Sequence, residues 1–388
     1  MTVWDDLVGQ AGPVEVLQAA VRGAARVLAG ERVAGTAHAW LFTGPPGSGR
    51  STAARAFAAA LQCEQGGCGR CHGCTTVLAG SHPDLTVVAT EATIIKVSEA
   101  RALIEVAQRR PSLRRWRVVL VEDADRLNDQ GANALLKAIE EPPPRTVWML
   151  CAPSPQDVLI TIRSRCRSVQ LRLPPVDAVA ELLVRRNGVD PAMAAYAARA
   201  AQSHIGRALR LARDEGARMR RREVLDLAFA VRGVGDAVLR AGQLVEVANE
   251  ESAAASLDRD AGERSALLRA LGFEGESRLP PSVRSQVKDL EDDQRRRGQR
   301  LKRDVIDQAL LDLLSVYRDV LVLHLGADVD LVNGSERTRL AALVRSTTPE
   351  EVLRRMDAIG VTRERLTTNA NPLLVVEAMA LQLVPADA

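Results

Sequence analysis

The sequence predicts an α/β domain on a parallel sheet, followed by a small helical domain and a larger all-helical one. Three observations lead there. Short apolar runs, Trp40-Leu41-Phe42-Thr43, Leu85-Thr86-Val87-Val88, Val118-Val119-Leu120-Val121 and Val147-Trp148-Met149-Leu150, recur through the first half with helical stretches between them. That is the pattern of strands buried on both faces and joined by crossover helices. A glycine-rich turn follows the first run and opens an alanine-rich helix from Thr52 to Leu61. Beyond Pro174-Pro175 the apolar residues recur at helical spacing, as in Val305, Ala309, Leu313, Val316 and Val320 within Asp304 to His324.

With 388 residues the chain exceeds one core of ordinary size. The boundaries read as 1–175 for the α/β domain, 176–232 for the small helical domain and 233–388 for the last. Gly206 is expected to separate two helices of the small domain, and the interval 260–294, containing Leu279-Pro280-Pro281, reads as a loop. Apolar residues at 46% and charged residues at 26% give the balance of a folded globular chain, and a net charge of +3 does not by itself indicate a nucleic-acid binder. The opening Met1-Thr2-Val3-Trp4-Asp5-Asp6 lacks a basic stretch followed by an apolar one, and no apolar run is long enough to span a bilayer. The expectation is a cytoplasmic protein with no membrane partner.

Gly44-Pro45-Pro46-Gly47-Ser48-Gly49-Arg50-Ser51 lies between a strand and a helix that begins at Thr52, the context of a phosphate loop. Glycines there let backbone N–H groups converge on phosphates at a helix N-terminus. Position 50, however, is arginine where the motif has lysine, and a planar guanidinium does not reproduce a compact ammonium between two phosphates. Only Lys96, Lys137, Lys288 and Lys302 stand against 48 arginines, so coding bias is one account of the exchange, but Lys96 and Lys137 survive it. The strand Val118 to Val121 then ends in Glu122-Asp123-Ala124-Asp125, the inverse of the Asp-then-Glu order that holds magnesium and orients water. An error of about an ångström at each carboxylate lowers the rate roughly 100-fold. Weak or absent hydrolysis is expected. Binding of ATP and Mg²⁺ stays open, because the loop backbone and Ser51 still offer a cradle.

Cys63, Cys68, Cys71 and Cys74 read C-x4-C-x2-C-x2-C with glycines between them. Four thiolates at tetrahedral corners about 2.3 Å from Zn²⁺ make a closed structural site, with an iron–sulfur cluster as the competitor. His72 reads as an exposed loop residue, and Cys151 and Cys166 as buried apolar residues.

These motifs resemble one family. A phosphate loop whose helix runs into a four-cysteine insertion, then Asn133-Ala134-Leu135-Leu136-Lys137-Ala138-Ile139-Glu140-Glu141-Pro142-Pro143, then Ser164-Arg165-Cys166, is similar to bacterial clamp-loader subunits, the tau/gamma motors and the delta-prime stator. Val3-Trp4-Asp5-Asp6-Leu7-Val8-Gly9-Gln10 matches the opening box, which in that family lies near the adenine site. The resemblance covers residues 1 to about 215, with looser support from Tyr317-Arg318-Asp319 and Asn369-Ala370-Asn371-Pro372. It implies an AAA+ P-loop domain with a zinc insertion at 63–74, a helical lid and a C-terminal collar. It also implies that Arg165 is an arginine finger acting on the ATP of a neighbouring subunit, a contribution of 10³-fold or more in rate.

The same resemblance separates motor from stator. Ala152-Pro153 stands where active members carry a polar sensor residue, and Leu209 where they carry a second sensor arginine. With Arg50 and the inverted Glu122-Asp123, these departures favour the stator. The implied partners are tau/gamma and delta subunits, with the sliding clamp and primed DNA reached through the complex. The rival readings are an ATP-hydrolysing motor that tolerates Arg50, and a stand-alone zinc DNA-binding module. Two basic clusters, Arg109, Arg110, Arg114, Arg115 and Arg117 around Trp116, and Arg295, Arg296, Arg297, Arg300, Lys302 and Arg303, read equally as DNA contacts or as solvated, salt-bridged surface.

Overall fold

The computed structural model describes residues 2–31, 37–88, 95–113, 115–274, 276, 279–368 and 370–385, the side chains at 255 and 258 excepted. Arg114 and Asn369, both singled out above, lie outside the described residues. The described chain forms two compact units, Met1–Arg213 and Asp214–Ala388.

The first unit holds a five-stranded parallel sheet: β1 (Ala39–Thr43), β2 (Leu85–Val88), β3 (Arg117–Val121), β4 (Thr146–Ala152) and β5 (Arg167–Gln170), in the order β2-β3-β4-β1-β5. In the three central strands every residue is buried, which is why they read as continuous apolar runs. Their alternate residues feed two cores. Trp40, Phe42, Val118, Leu120, Val147 and Met149 pack with α1 (Ala11–Leu28), α2 (Arg50–Gln62) and α3 (His72–Leu78). Leu41, Val119, Val121, Trp148 and Leu150 pack with α4 (Val97–Ala107), α5 (Asp129–Glu140) and α6 (Ile160–Arg163) on the other face. Trp40 meets Phe57 of α2 edge-on, ring centroids 4.9 Å apart. The predicted α/β class is the one observed. The sequence missed β5 because, as an edge strand, it buries only Val169 and exposes its other three residues.

Helices α7 (Val176–Asn187), α8 (Pro191–Ala200) and α9 (Ile205–Arg213) complete this unit. The break between α8 and α9 is not at Gly206, which lies inside α9; it falls at Gln202 and Ser203, whose φ values are 49° and 66°. The sequence reading carried the small helical domain to residue 232. Yet α10 (Glu215–Ala230) buries Leu225, Leu227 and Ala228 among Ile306, Leu310 and Leu313, so the compact unit ends at Arg213.

The second unit is helical: α10, α11 (Val234–Ala270), α12 (Pro281–His324), α13 (Arg337–Arg345), α14 (Pro349–Leu366) and α15 (Pro372–Gln382). The loop expected over 260–294 is wrong for most of its length, since α11 runs to Ala270 and α12 starts at Pro281. A proline in the first helical turn loses no hydrogen bond, so Pro280-Pro281 starts a helix here rather than breaking one. The two long helices run antiparallel. Arg297 Nη2 reaches Asp260 at 2.7 Å and Glu263 at 2.5 Å, and Ser252 Oγ donates to Gly298 O at 2.8 Å. Arg297 also holds the Glu263 carboxyl down to about 2.

A buried polar network fixes α10 against α12 and the segment before α13. Arg221 donates to Asp312 at 2.8 Å and to Asn333 at 2.6 Å, and Asn333 donates in turn to Ser315 at 3.0 Å and Asp319 at 2.7 Å. All five residues are less than a tenth exposed. Removing one member of such a pair leaves a buried charge unpaired. Arg221→Met is therefore expected to destabilise the second unit by about 3–5 kcal/mol, read as a lowered urea midpoint with an unchanged slope.

Candidate functional site

The phosphate loop leaves the C-terminal end of β1 and closes at Gly49, the left-handed N-cap of α2. Ligands of open parallel sheets sit at this edge. Gly44 N–H donates to Pro153 O at 3.2 Å, which ties the loop to the end of β4. Gln10 is 3% exposed; its amide donates to Arg172 O at 2.5 Å and Ser48 O at 3.4 Å and accepts from Arg172 N–H at 3.3 Å. The last residue of the opening box thus pins the loop to the segment after β5. From the turn between α8 and α9, His204 covers the loop. A Cβ at Gly47, where φ is 87°, would lie 3.0 Å from His204 Cα, Cβ and Cδ2. Burial, with Arg207 adding to it, pushes the His204 pKa below its ordinary value. Sequence reasoning missed His204, because nothing local links it to a loop 157 residues earlier.

Several charged groups beside the loop are already paired within the fold. Arg50 opens α2 with Ser51 and Thr52 in the same turn; among the described residues, its buried Nη1 has no hydrogen-bond partner. Glu122, at the end of β3, is held by Arg55 of α2, Nε to Oε1 2.9 Å. The carboxylate aligned with the metal-holding position is only 16% exposed and already carries a fixed cation. Arg55 was not singled out above, although an arginine inside the alanine run of α2 is the signal that could have found it. Asp123 lies 3.9 Å from Arg126, and burial raises the Asp125 pKa. Ala152 is buried at the end of β4 and offers no polar atom.

Arg165 sits elsewhere. It follows α6 and precedes β5, whose first residues pair with the start of β1, Arg167 with Trp40 through Gln170 with Thr43. The strands are parallel, so Arg165 lies at the N-terminal edge of the sheet and the phosphate loop at the C-terminal edge. The intervening stretch of strand is about 10 Å long. Arg165 is 34% exposed and pairs with Glu140 at the end of α5, Nε to Oε2 3.0 Å.

The four cysteines lie between α2 and α3. Their sulfurs are all within 4.8 Å of one another, and Cys63 and Cys71 Sγ are 3.7 Å apart. Tetrahedral zinc thiolates with Zn–S about 2.3 Å place their sulfurs about 3.8 Å apart. The donor set therefore fits a metal ion. Backbone N–H groups aim at the sulfurs: Gln65 and Cys68 toward Cys63 at 3.3 and 3.4 Å, and Cys74 toward Cys71 at 3.5 Å. N–H groups of Arg70 and Cys71 bring Cys68 down to about 6, whereas burial raises Cys71 and Cys74. The opening segment packs on this loop. Val3 N–H donates to Gly67 O at 3.0 Å and Trp4 Nε1 to Gly66 O at 3.2 Å. Gly67, at φ 112°, has no room for a side chain, since a Cβ would fall 2.6 Å from Val3 Cγ2. His72 is exposed as expected, though at the start of α3 rather than in a loop. Cys151 is buried as expected, whereas Cys166 is only half-buried against the core; burial raises Cys151 and brings Cys166 up to about 12.

Two arginines of the first basic cluster are committed inside the fold, and the second cluster is salt-bridged along its helix surface. Arg117 is 6% exposed and bonds Pro83 O at 3.0 Å beside Asp84, while Arg115 caps α2 through Leu61 O at 3.2 Å and Cys63 O at 3.0 Å. In the second cluster Arg295, Arg296 and Arg300 pair with Asp292, Asp293 and Asp304 along α12. Among the described residues, no helix is long and apolar enough to cross a membrane.

Residues 25–175 match the family described as DNA polymerase III, delta subunit. DNA polymerase III subunit delta' of Pseudomonas aeruginosa is 39% identical over 164 residues, covering 41% of this chain and 50% of that protein. Subunit gamma/tau of Mycobacterium tuberculosis is 37% identical over 153 residues, covering 38% and 26%. The chain thus spans half the length of the first relative and about a quarter of the second. Among solved structures, a gamma subunit-related protein of Thermotoga maritima aligns over 89% of this chain and 99% of its own at 17% identity, with a TM-score of 0.34. Residues 25–175, which hold the phosphate loop, the four-cysteine insertion and the sheet, are thus similar to clamp-loader subunits of DNA polymerase III, delta' and gamma/tau alike.

Proposed function

We propose that this chain is the delta-prime stator of a DNA polymerase III clamp loader, acting in the cytoplasm as part of the replication machinery. Its partners are tau/gamma and delta subunits, and through them the sliding clamp and primed DNA. The observation that carries the reading is the pairing of an impaired home site with a displaced arginine. Glu122 is held by Arg55, while Arg165 stands at the opposite edge of the sheet from its own phosphate loop. An arginine there lies about 10 Å of strand away from its own loop, and its 34% exposure leaves it open to a partner.

In this mechanism the α/β domain and the helices α7 to α9, acting as a lid, present Arg165 to the ATP of an adjacent motor subunit. The helices of the C-terminal unit join a ring collar. Arg165 stabilises charge on the transferred phosphate in the transition state. Cys63, Cys68, Cys71 and Cys74 hold structural Zn²⁺, which closes the loop between α2 and α3 and leaves no open position for catalysis. Gly44, Gly47, Gly49, Arg50, Ser51, Thr52, Glu122 and Asp123 form a relict ATP site that turns over little or nothing.

The test is co-purification with tau/gamma and delta subunits followed by mass measurement of the complex. A defined hetero-oligomer is expected, and a chain that stays alone contradicts the reading. Arg50→Lys provides a second check, by phosphate release from the purified chain. Restoring the lysine is expected to leave turnover at background, because Arg55 still holds Glu122 and the carboxylate order stays inverted. Magnesium-dependent turnover by the unmutated chain, abolished in Arg50→Ala, would instead identify a motor.

A further inference from the structure

Arg165 is not a free side chain. Its Nε donates to Glu140 Oε2 at 3.0 Å and its Nη1 to Thr161 O at 2.8 Å, with Ser164 Oγ at 3.5 Å from the same nitrogen. The anchors come from different elements: Glu140 ends α5, Thr161 lies in α6, and Arg165 is in the turn that leaves α6. A guanidinium carries its N–H groups in one rigid plane, so anchoring Nε and Nη1 from two sides fixes that plane. Among the described residues, Nη2 is left without an intramolecular partner.

The pair is half-exposed, 34% for Arg165 and 54% for Glu140, and exposed ion pairs contribute little to stability. Its effect is conformational instead. A long, flexible side chain is held in one rotamer before any partner arrives. Preorganisation of this kind lowers the entropy lost when a charged group must meet a transition state at a defined place.

We infer that Glu140 is a positioning residue for Arg165, fixing its guanidinium so that Nη2 faces the neighbouring subunit's phosphate. The inference rests on the reading of Arg165 as trans-acting. Glu140 touches no phosphate itself; its carboxylate acts only through the arginine.

The experiment uses the reconstituted complex and measures kcat and KM for DNA-stimulated ATP hydrolysis with Arg165→Ala, Glu140→Ala, Glu140→Gln and the Glu140→Ala/Arg165→Ala double variant, with the mass of each complex as the control for assembly. Glu140→Ala is expected to lower kcat on the order of tenfold at unchanged KM. Glu140→Gln, which keeps an acceptor for Nε, should recover most of that loss. The double variant should be no slower than Arg165→Ala alone, because a positioning residue has nothing to position once the arginine is gone. Normal kcat in Glu140→Ala beside an impaired Arg165→Ala overturns the positioning role and leaves the trans-acting reading standing. A further loss in the double variant does the same. Normal kcat in Arg165→Ala fails the earlier reading itself.

Discussion

Replacing Arg165 with alanine is expected to leave the complex assembled while ATP turnover at the neighbouring subunit falls by about 10³-fold. The magnitude follows from the chemistry. Charge accumulates on the transferred phosphate, and a guanidinium placed there in a water-poor interface stabilises it far more than an exposed pair would. The assembly half of the expectation follows from the structure. Arg165 is 34% exposed and its intramolecular partners are Glu140, Thr161 and Ser164, all on its own surface, so truncation opens no cavity in either core. Mass measurement of the complex and DNA-stimulated phosphate release separate the two effects. Unchanged turnover would show that some other group serves the neighbour's phosphate.

The second large effect belongs to the cysteine centre. Cys74→Ala is expected to abolish metal binding and to lower the thermal midpoint of the chain by more than about 10 °C, read by native mass spectrometry and calorimetry. Cys74 is fully buried, and Cys63 is 2% exposed, so the loop loses its metal and an interior contact together. Structural zinc contributes on the order of 10 kcal/mol of binding free energy, all of it to the folded state. The damage should spread to the N-terminus, since Val3 and Trp4 are bonded to Gly67 and Gly66 of that loop. A chain purified with visible charge-transfer absorbance and iron would replace zinc by an iron–sulfur cluster. Full stability in Cys74→Ala would remove the metal from the account.

The central strands and the phosphate loop were legible in the sequence because their residues are buried on both faces or need glycine, and both constraints are local. The four cysteines were legible for the same reason, their spacing being the signal. β5 was not, since an edge strand with one buried residue carries no apolar run. The long helices were misread at Pro280-Pro281 because a proline pair breaks a helix interior yet starts a helix equally well. Arg55, His204 and Glu140 were missed for a different reason. Each acts across the fold, on Glu122, Gly47 and Arg165, at separations of 67, 157 and 25 residues, and no short motif records such a pairing. Arg115 and Arg117 show the converse error. A run of arginines resembles a surface patch, yet these two side chains are bound to backbone carbonyls inside the unit.

A density map of the assembled hetero-oligomer with a non-hydrolysable ATP analogue tests the central claim most directly. The account predicts Arg165 Nη2 within hydrogen-bond reach of the terminal phosphate in the adjoining subunit, and no triphosphate–magnesium complex on Glu122 of this chain. Arg165 Nη2 facing solvent away from the adjoining nucleotide, with a nucleotide and its metal seated on Glu122 of this chain, would contradict it.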